Sequence, residues 1–127
     1  MAAFDTSFPT TQYAKSVTGG EPNKGTVSGG VVNFDLADGP NQRLTVGGDL
    51  TVTYSSWPKS GIYGEIEIEL VNGGAHTITW PTVHWLKGDG TNSTTFSTMG
   101  VTLSSSGANV IVVWTTDGGA TVYGSAA

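Results

Sequence analysis

The segment Ile62-Tyr63-Gly64-Glu65-Ile66-Glu67-Ile68-Glu69-Leu70-Val71 decides the fold class of this chain. Its small and apolar residues fall at every second position, and successive side chains of a β-strand point to opposite faces of a sheet. The pattern predicts a strand with Ile66, Ile68 and Leu70 in the core and three glutamates facing water.

Short segments with the same period lie on both sides of this strand, separated by turns rich in Gly, Asn and Asp. Arg43–Val46 and Leu50–Tyr54, joined by Gly47-Gly48-Asp49, predict a hairpin. No internal repeat is recognisable. About eight to ten short strands without an α-helix predict an all-β fold, either an antiparallel β-sandwich or a jelly-roll-like barrel. The other predicted strands are Val32–Leu36, Ala75–Trp80, Thr82–Trp85, Asn109–Thr115 and Ala120–Tyr123.

The segment Asn109–Thr115 is almost continuously apolar and does not alternate. Such a run is typical of a central strand that is buried on both faces. We therefore expect Val110, Val112 and Trp114 to belong to the core.

Residues 1–25 have neither a helical nor a strand period, and prolines and a Gly-Gly pair interrupt them. The sequence predicts an extended N-terminal arm over residues 1–25 and a single β-sandwich domain over residues 26–127. The arm is either a frayed terminus or a segment that orders on a neighbouring molecule. In the second case Phe4, Phe8 and Tyr13 are its partner-binding anchors, because a solvated tail does not need aromatic residues.

Composition and charge exclude several classes of function. Only 12% of the residues are charged, against about 25% in an average soluble domain, so the surface loses its hydration cheaply against a partner. Ten acidic and five scattered basic residues argue against binding to nucleic acid, which needs clustered Lys and Arg. Without cysteine, disulfides and thiolate zinc sites are impossible.

Export and membrane signals are not visible in the sequence. The first residues lack the basic and apolar regions of a signal peptide, and no apolar run approaches the roughly 20 residues that span a bilayer. We therefore expect synthesis in the cytoplasm and no membrane partner.

Glu65, Glu67 and Glu69 are the most conspicuous polar group, with neighbouring carboxylates about 7 Å apart on one strand face. A Ca²⁺ or Mg²⁺ site, or a pair of catalytic acids, would need further oxygen ligands or an apolar pocket. A solvated face that discourages strand aggregation, or salt bridges across a subunit interface, explains the same pattern. His76 and His84 have no ligand spacing, and no nucleophile elbow, Walker loop or zincin motif occurs. We predict no catalytic residue, no metal site, no cofactor and hence no enzyme.

The four tryptophans leave two interpretations open. Flat aromatic rings stack on sugars in carbohydrate platforms, whereas tryptophans in a core or a protein interface are more common. Trp57 and Trp85 flank predicted turns, so we expect these two to be partly exposed and available for contacts.

The second half of the chain resembles a known family. It contains Thr77-Ile78-Thr79-Trp80-Pro81 and then Trp85, followed after an apolar strand by Thr115-Thr116-Asp117-Gly118-Gly119-Ala120-Thr121-Val122-Tyr123-Gly124. These motifs resemble a small β-module of tailed-bacteriophage virion structural proteins, and the resemblance covers roughly residues 25–124. The chain departs from the family pattern after the second tryptophan, where Leu86-Lys87-Gly88-Asp89-Gly90 replaces the usual Pro-Gly-Gly stretch.

The resemblance implies a structural protein of the virion. Because we expect little beyond the module, the chain looks like a capsid decoration, or cement, protein on the capsid surface. Such proteins bind and stabilise the lattice of the major capsid protein and often form homotrimers. The alternative is a tail-fibre or adhesin-type module that binds a glycan of the host surface, which the four tryptophans favour.

Overall fold

The computed structural model describes residues 22–127, in which ten β-strands form most of the regular structure. The strands are β1 Asn23–Val27, β2 Gly30–Asp35, β3 Asn41–Val46, β4 Leu50–Ser55, β5 Gly64–Val71, β6 Ile78–Thr79, β7 His84–Leu86, β8 Asn92–Ser93, β9 Ala108–Thr115 and β10 Tyr123–Ala126. Short 3-10 turns lie at Leu36–Asp38, Gly73–Ala75 and Phe96–Met99. Residues 22–127 contain no helix with the length and hydropathy of a membrane span.

The strands form two sheets that share one hydrophobic core. The large sheet has the order β1-β3-β5-β9-β10-β7-β8, and the small sheet has the order β2-β4-β6. The predicted all-β fold with two sheets is therefore confirmed. Antiparallel order is limited to β5–β9, β9–β10 and β7–β8, whereas the other five pairings of the described strands are parallel.

The first six strands alternate between the two sheets and form a stack of three rungs. Rung 1 consists of β1 and β2, rung 2 of β3 and β4, and rung 3 of β5 and β6. Equivalent residues of successive rungs lie side by side, as Thr26 does with Thr45 and Leu44 with Leu70. Parallel stacking of this kind is the arrangement of solenoid proteins, in which each repeat contacts its neighbours.

The predicted hairpin at Gly47-Gly48-Asp49 is wrong, because this turn carries the chain from the large sheet to the small one. Gly48 lies against the corresponding turn of rung 1, where any side chain would collide with the Ser28 carbonyl group. The Gly47 amide donates a hydrogen bond of 2.8 Å to the Val27 carbonyl oxygen. Thr26-Val27 and Thr45-Val46 therefore begin an internal repeat that is too short to stand out in the sequence.

Three of the six residues that the patterns of β5 and β9 predict to be in the core are buried. The confirmed residues are Ile66, Ile68 and Leu70 on β5. The prediction is wrong for Val110, Val112 and Trp114 on β9. The buried residues of β9 are instead Ile111, Val113 and Thr115. β9 is a central strand, but only its inner face is buried. The side chains on its outer face keep part of their surface exposed, although they are apolar as well.

The Tyr-Gly pair that ends the phage-like motif has a packing role. Tyr123 points outward, whereas Gly124 lies inside, where a Cβ atom would collide with the indole of Trp85. That indole also packs against Trp80 and Phe96, with ring centroids 5.3 and 4.8 Å apart. A side chain at Gly124 would therefore displace the largest residue of the core.

The β-domain begins slightly earlier than predicted. β1 starts at Asn23, so the last three residues of the predicted arm belong to a strand of the large sheet, in which Asn23 pairs with Arg43 of β3. The predicted anchors Phe4, Phe8 and Tyr13 lie outside the described residues, and their role stays a prediction.

Candidate binding surfaces

The outward side of the large sheet carries a regular lattice of side chains, because directly paired residues of neighbouring strands share a face. We call it the outer face and define it by three rows. The first row is Glu65, Trp114, Tyr123 and His84. The second row is Asn41, Glu67, Val112 and Ser125. The third row is Arg43, Glu69 and Val110. An open groove of about 460 Å³ crosses the second and third rows.

The acidic part of the outer face is only partly neutralised. Arg43 forms an exposed ion pair with Glu69, at 3.2 Å between Nη1 and Oε1. The Tyr63 hydroxyl donates to Glu65 at 2.6 Å, and this hydrogen bond raises the pKa of Tyr63 to about 12. Glu67 has no basic partner within 4.0 Å in the part of the chain that the structure describes. Three carboxylates against one guanidinium give this face a negative potential.

The three glutamates lie in three different rows of the outer face. Among residues 22–127 no group of three or more His, Asp or Glu side chains is placed to hold a metal ion. Alternation along β5 keeps the carboxylates in separate rows of the lattice, beside the side chains of β9 rather than around a common point.

An aromatic and apolar strip lies directly beside the glutamates. Trp114 and Tyr123 stack with ring centroids 6.2 Å apart, and the imidazole of His84 lies 5.7 Å from the Tyr123 ring. Val110, on the same side of β9, is 39% exposed. The sequence interpretation missed this strip because residues on both faces of β9 are apolar, which hides the alternation.

The outer side of the small sheet has a different chemistry. Three of its polar side chains form a neutral network: the Thr53 hydroxyl donates to the Asn33 side chain at 2.8 Å, and that amide donates to Ser55 at 2.8 Å. The carboxylate of Asp35, at the end of β2, accepts from the Ala37 amide. Val31 on β2 is 66% exposed and stands apart from any described aromatic cluster. The acidic and aromatic lattice is thus specific to the large sheet.

The phage-like turn after β9 is held by a compact hydrogen-bond network. The buried Thr115 hydroxyl lies 2.8 Å from Asp117 Oδ1 and 2.7 Å from the Thr121 carbonyl oxygen, and it accepts from the Gly119 amide at 3.1 Å. Asp117 Oδ1 also accepts from the Thr121 amide at 2.8 Å. Hydrogen bonds from the Thr121 amide and the Thr115 hydroxyl lower the pKa of Asp117.

A second concave surface, the Trp57 pocket, opens at the end of the small sheet beside this turn. Its volume is about 400 Å³. It is lined by Thr53, Tyr54, Trp57, Pro81, Thr82, Gly118, Gly119, Ala120 and Val122. The Trp57 indole lies directly on Gly119, where a Cβ atom would collide with the ring.

The structure separates the two tryptophans that we expected to be partly exposed. Trp57 is half-buried and lines the pocket. Trp85 is only 1% exposed, so the prediction of an exposed contact there is wrong. Trp85 does lie next to a turn, but its indole packs against Trp80, Phe96 and Gly124.

No protein-family model, curated protein or solved structure matches the chain.

Proposed function

We propose that this chain is a non-catalytic structural protein of a bacteriophage virion, a capsid decoration protein that binds and stabilises the lattice of the major capsid protein. The sequence motifs between Thr77 and Gly124 support the phage assignment. The observation that carries the binding role is the outer face, where an aromatic and apolar strip lies beside the three glutamates of β5, whose charge is only partly neutralised.

The aromatic strip of the outer face has the composition of a protein interface. Aromatic residues and Arg are enriched at such interfaces, and a few well-packed aromatic contacts contribute most of the affinity. Trp114, Tyr123 and Val110 supply apolar contact area, while Glu65 and Glu67 lack a basic partner within 4.0 Å in residues 22–127. Charge complementarity therefore favours a partner surface that carries Lys or Arg around an apolar centre.

Repetition of the contact explains how such a surface stabilises a shell. A capsid offers many copies of one binding site, and weak contacts that act together reach a high total affinity. A homotrimer, which the family resemblance implies, would hold three outer faces on one lattice position. The predicted arm anchors Phe4, Phe8 and Tyr13 would extend the contact to a neighbouring subunit.

Antibody labelling of virions from the phage that encodes the chain tests the location. We expect label on the head shell in negative-stain micrographs. Label on the tail or neck alone would refute the decoration role.

A binding assay with virions stripped of the protein tests the surface. We expect Val110→Glu to weaken binding at least about tenfold, because it places a further charge in the apolar strip. Val31→Glu is the matched control, since Val31 is an exposed valine on the small sheet. Equal binding of both variants and the unmodified chain would show that the outer face is not the contact.

A further inference from the structure

The Trp57 pocket shares no residue with the three rows of the outer face, so substitutions can alter the two surfaces separately. Its position is set by two parts of the chain: the end of β4, which contributes Tyr54, and the turn between β9 and β10, which contributes Gly119. A ligand there would be bound independently of the particle contact.

The lining of the pocket defines the charge of its ligand. Every residue that lines it is uncharged. A charged ligand would lose hydration on entry and find no counter-charge. The pocket therefore fits a neutral molecule.

The shape and polarity of the lining resemble what a sugar ring requires. The Trp57 indole and Pro81 provide flat apolar surface, and Thr53 and Thr82 also line the pocket. The Thr53 hydroxyl already donates to Asn33, so toward a ligand it can only accept a hydrogen bond. A pyranose presents the same combination, with an apolar face of C–H groups and a rim of hydroxyl groups. Binding sites for small molecules commonly combine aromatic walls with a few polar groups in this way.

One buried hydroxyl in the lining has no partner. The Tyr54 Oη atom is closed to solvent and makes no hydrogen bond within residues 22–127. Burial raises the pKa of Tyr54, so the group stays protonated and is a donor. The Trp57 ring lies against the Tyr54 ring, with centroids 5.8 Å apart, and belongs to the connection between β4 and β5. A ligand oxygen that reached this hydroxyl would accept its unused hydrogen bond.

We propose that the Trp57 pocket binds a neutral sugar unit of a glycan, with the ring stacked on Trp57 and a ligand oxygen accepting from Tyr54. This second activity does not depend on the decoration role. A protein attached to a particle through the outer face would then contact carbohydrate through the Trp57 pocket.

Titration of the full-length chain with neutral oligosaccharides, followed by two-dimensional ¹H–¹⁵N NMR, tests the proposal. The probes are maltotriose, cellotriose and lactose, with sialyllactose as the acidic comparison. We expect at least one neutral probe to shift the Trp57 indole N–H and the Gly118 and Gly119 amides, with weaker shifts from the acidic sugar.

Three variants locate the binding. Trp57→Ala should weaken the affinity at least about tenfold through loss of the stacked ring. Trp114→Ala is the matched control, a half-buried tryptophan of the outer face, and should leave sugar affinity unchanged. Tyr54→Phe keeps the packing and removes only the hydroxyl, so it should weaken sugar binding without lowering the melting temperature.

Two results would overturn the proposal: no neutral sugar shifts these resonances at millimolar concentration, or binding persists unchanged in both Trp57→Ala and Tyr54→Phe. Shifts caused only by a proline-rich peptide would assign the pocket to a peptide and likewise exclude the sugar. Neither result bears on the decoration role, which the Val110→Glu binding assay tests separately.

Discussion

Residues 23–79 and residues 84–126 complete one two-sheet body by different means. The first region stacks three parallel rungs, so residues at equivalent positions of successive rungs lie side by side, as Leu44 does with Leu70. The second region adds mainly antiparallel pairs, in which Ser125 lies beside Val112, and one parallel pair, which brings Gly124 beside Trp85. Both candidate binding surfaces lie where the regions join, one at the β5–β9 pairing and the other between β4 and the β9–β10 turn. The three stacked rungs form a regular scaffold. The second region adds the side chains that complete the outer face and the Trp57 pocket.

The largest effect should come from the centre of the second region. Trp85→Ala removes a fully buried indole that holds Trp80 and Phe96, and we expect a loss of about 3–5 kcal/mol in the free energy of unfolding. Urea denaturation measures it. Trp114→Ala, in a half-buried position on the outer face, should cost clearly less; equal losses would show that the two tryptophans do not differ in packing.

The next effect concerns the strand that joins the regions. Ile68 is fully buried opposite Ile111, so Ile68→Ala should lower the free energy of unfolding by about 2–5 kcal/mol. Val110→Ala, on the exposed face of the partner strand, should change it by less than about 0.5 kcal/mol. A loss below about 0.5 kcal/mol for Ile68→Ala would mean that the inner face of β5 is assigned wrongly.

A smaller effect tests the stacking of the rungs. Gly48→Ala places a Cβ atom against the Ser28 carbonyl group, and because backbone cannot move aside cheaply we expect a cost of about 1–3 kcal/mol. Gly88→Ala is the control, since a Cβ atom there meets no other atom within 4 Å. If the two variants melt at the same temperature, the turns of rungs 1 and 2 are not in contact.

The sequence predicted the fold class and the inner face of β5, because a period of two in a segment with charges on one side has a single interpretation. It did not predict the strand partners. A Gly-Gly-Asp turn between two strands fits a hairpin and a corner between sheets equally well, and the distinction depends on contacts between distant turns such as Gly48 and Ser28.

The candidate surfaces were predictable only in part. The glutamates and Trp57 stand out by their pattern and position, but Trp114 and Tyr123 do not. Their exposure follows from the pairing of β9 with β5 and β10, which no local pattern reveals. Trp85 illustrates the reverse case, since a residue beside a turn is buried once Gly124 from a distant strand makes room for it.

The smallest effect is the pH dependence of the turn that closes the second region. Hydrogen bonds from the Thr121 amide and the Thr115 hydroxyl lower the folded-state pKa of Asp117 below that of the unfolded chain, about 3.9. The unfolded state therefore binds more protons in this range, so the stabilisation is complete above about pH 3.9 and is lost as the pH falls through the folded-state pKa. Asp117→Asn removes the titrating carboxylate and should flatten this part of the stability profile relative to that of the unmodified chain. Urea denaturation between pH 2 and pH 6 measures both profiles. An unaltered slope in Asp117→Asn would mean that the hydrogen bonds of the turn do not favour the ionised carboxylate.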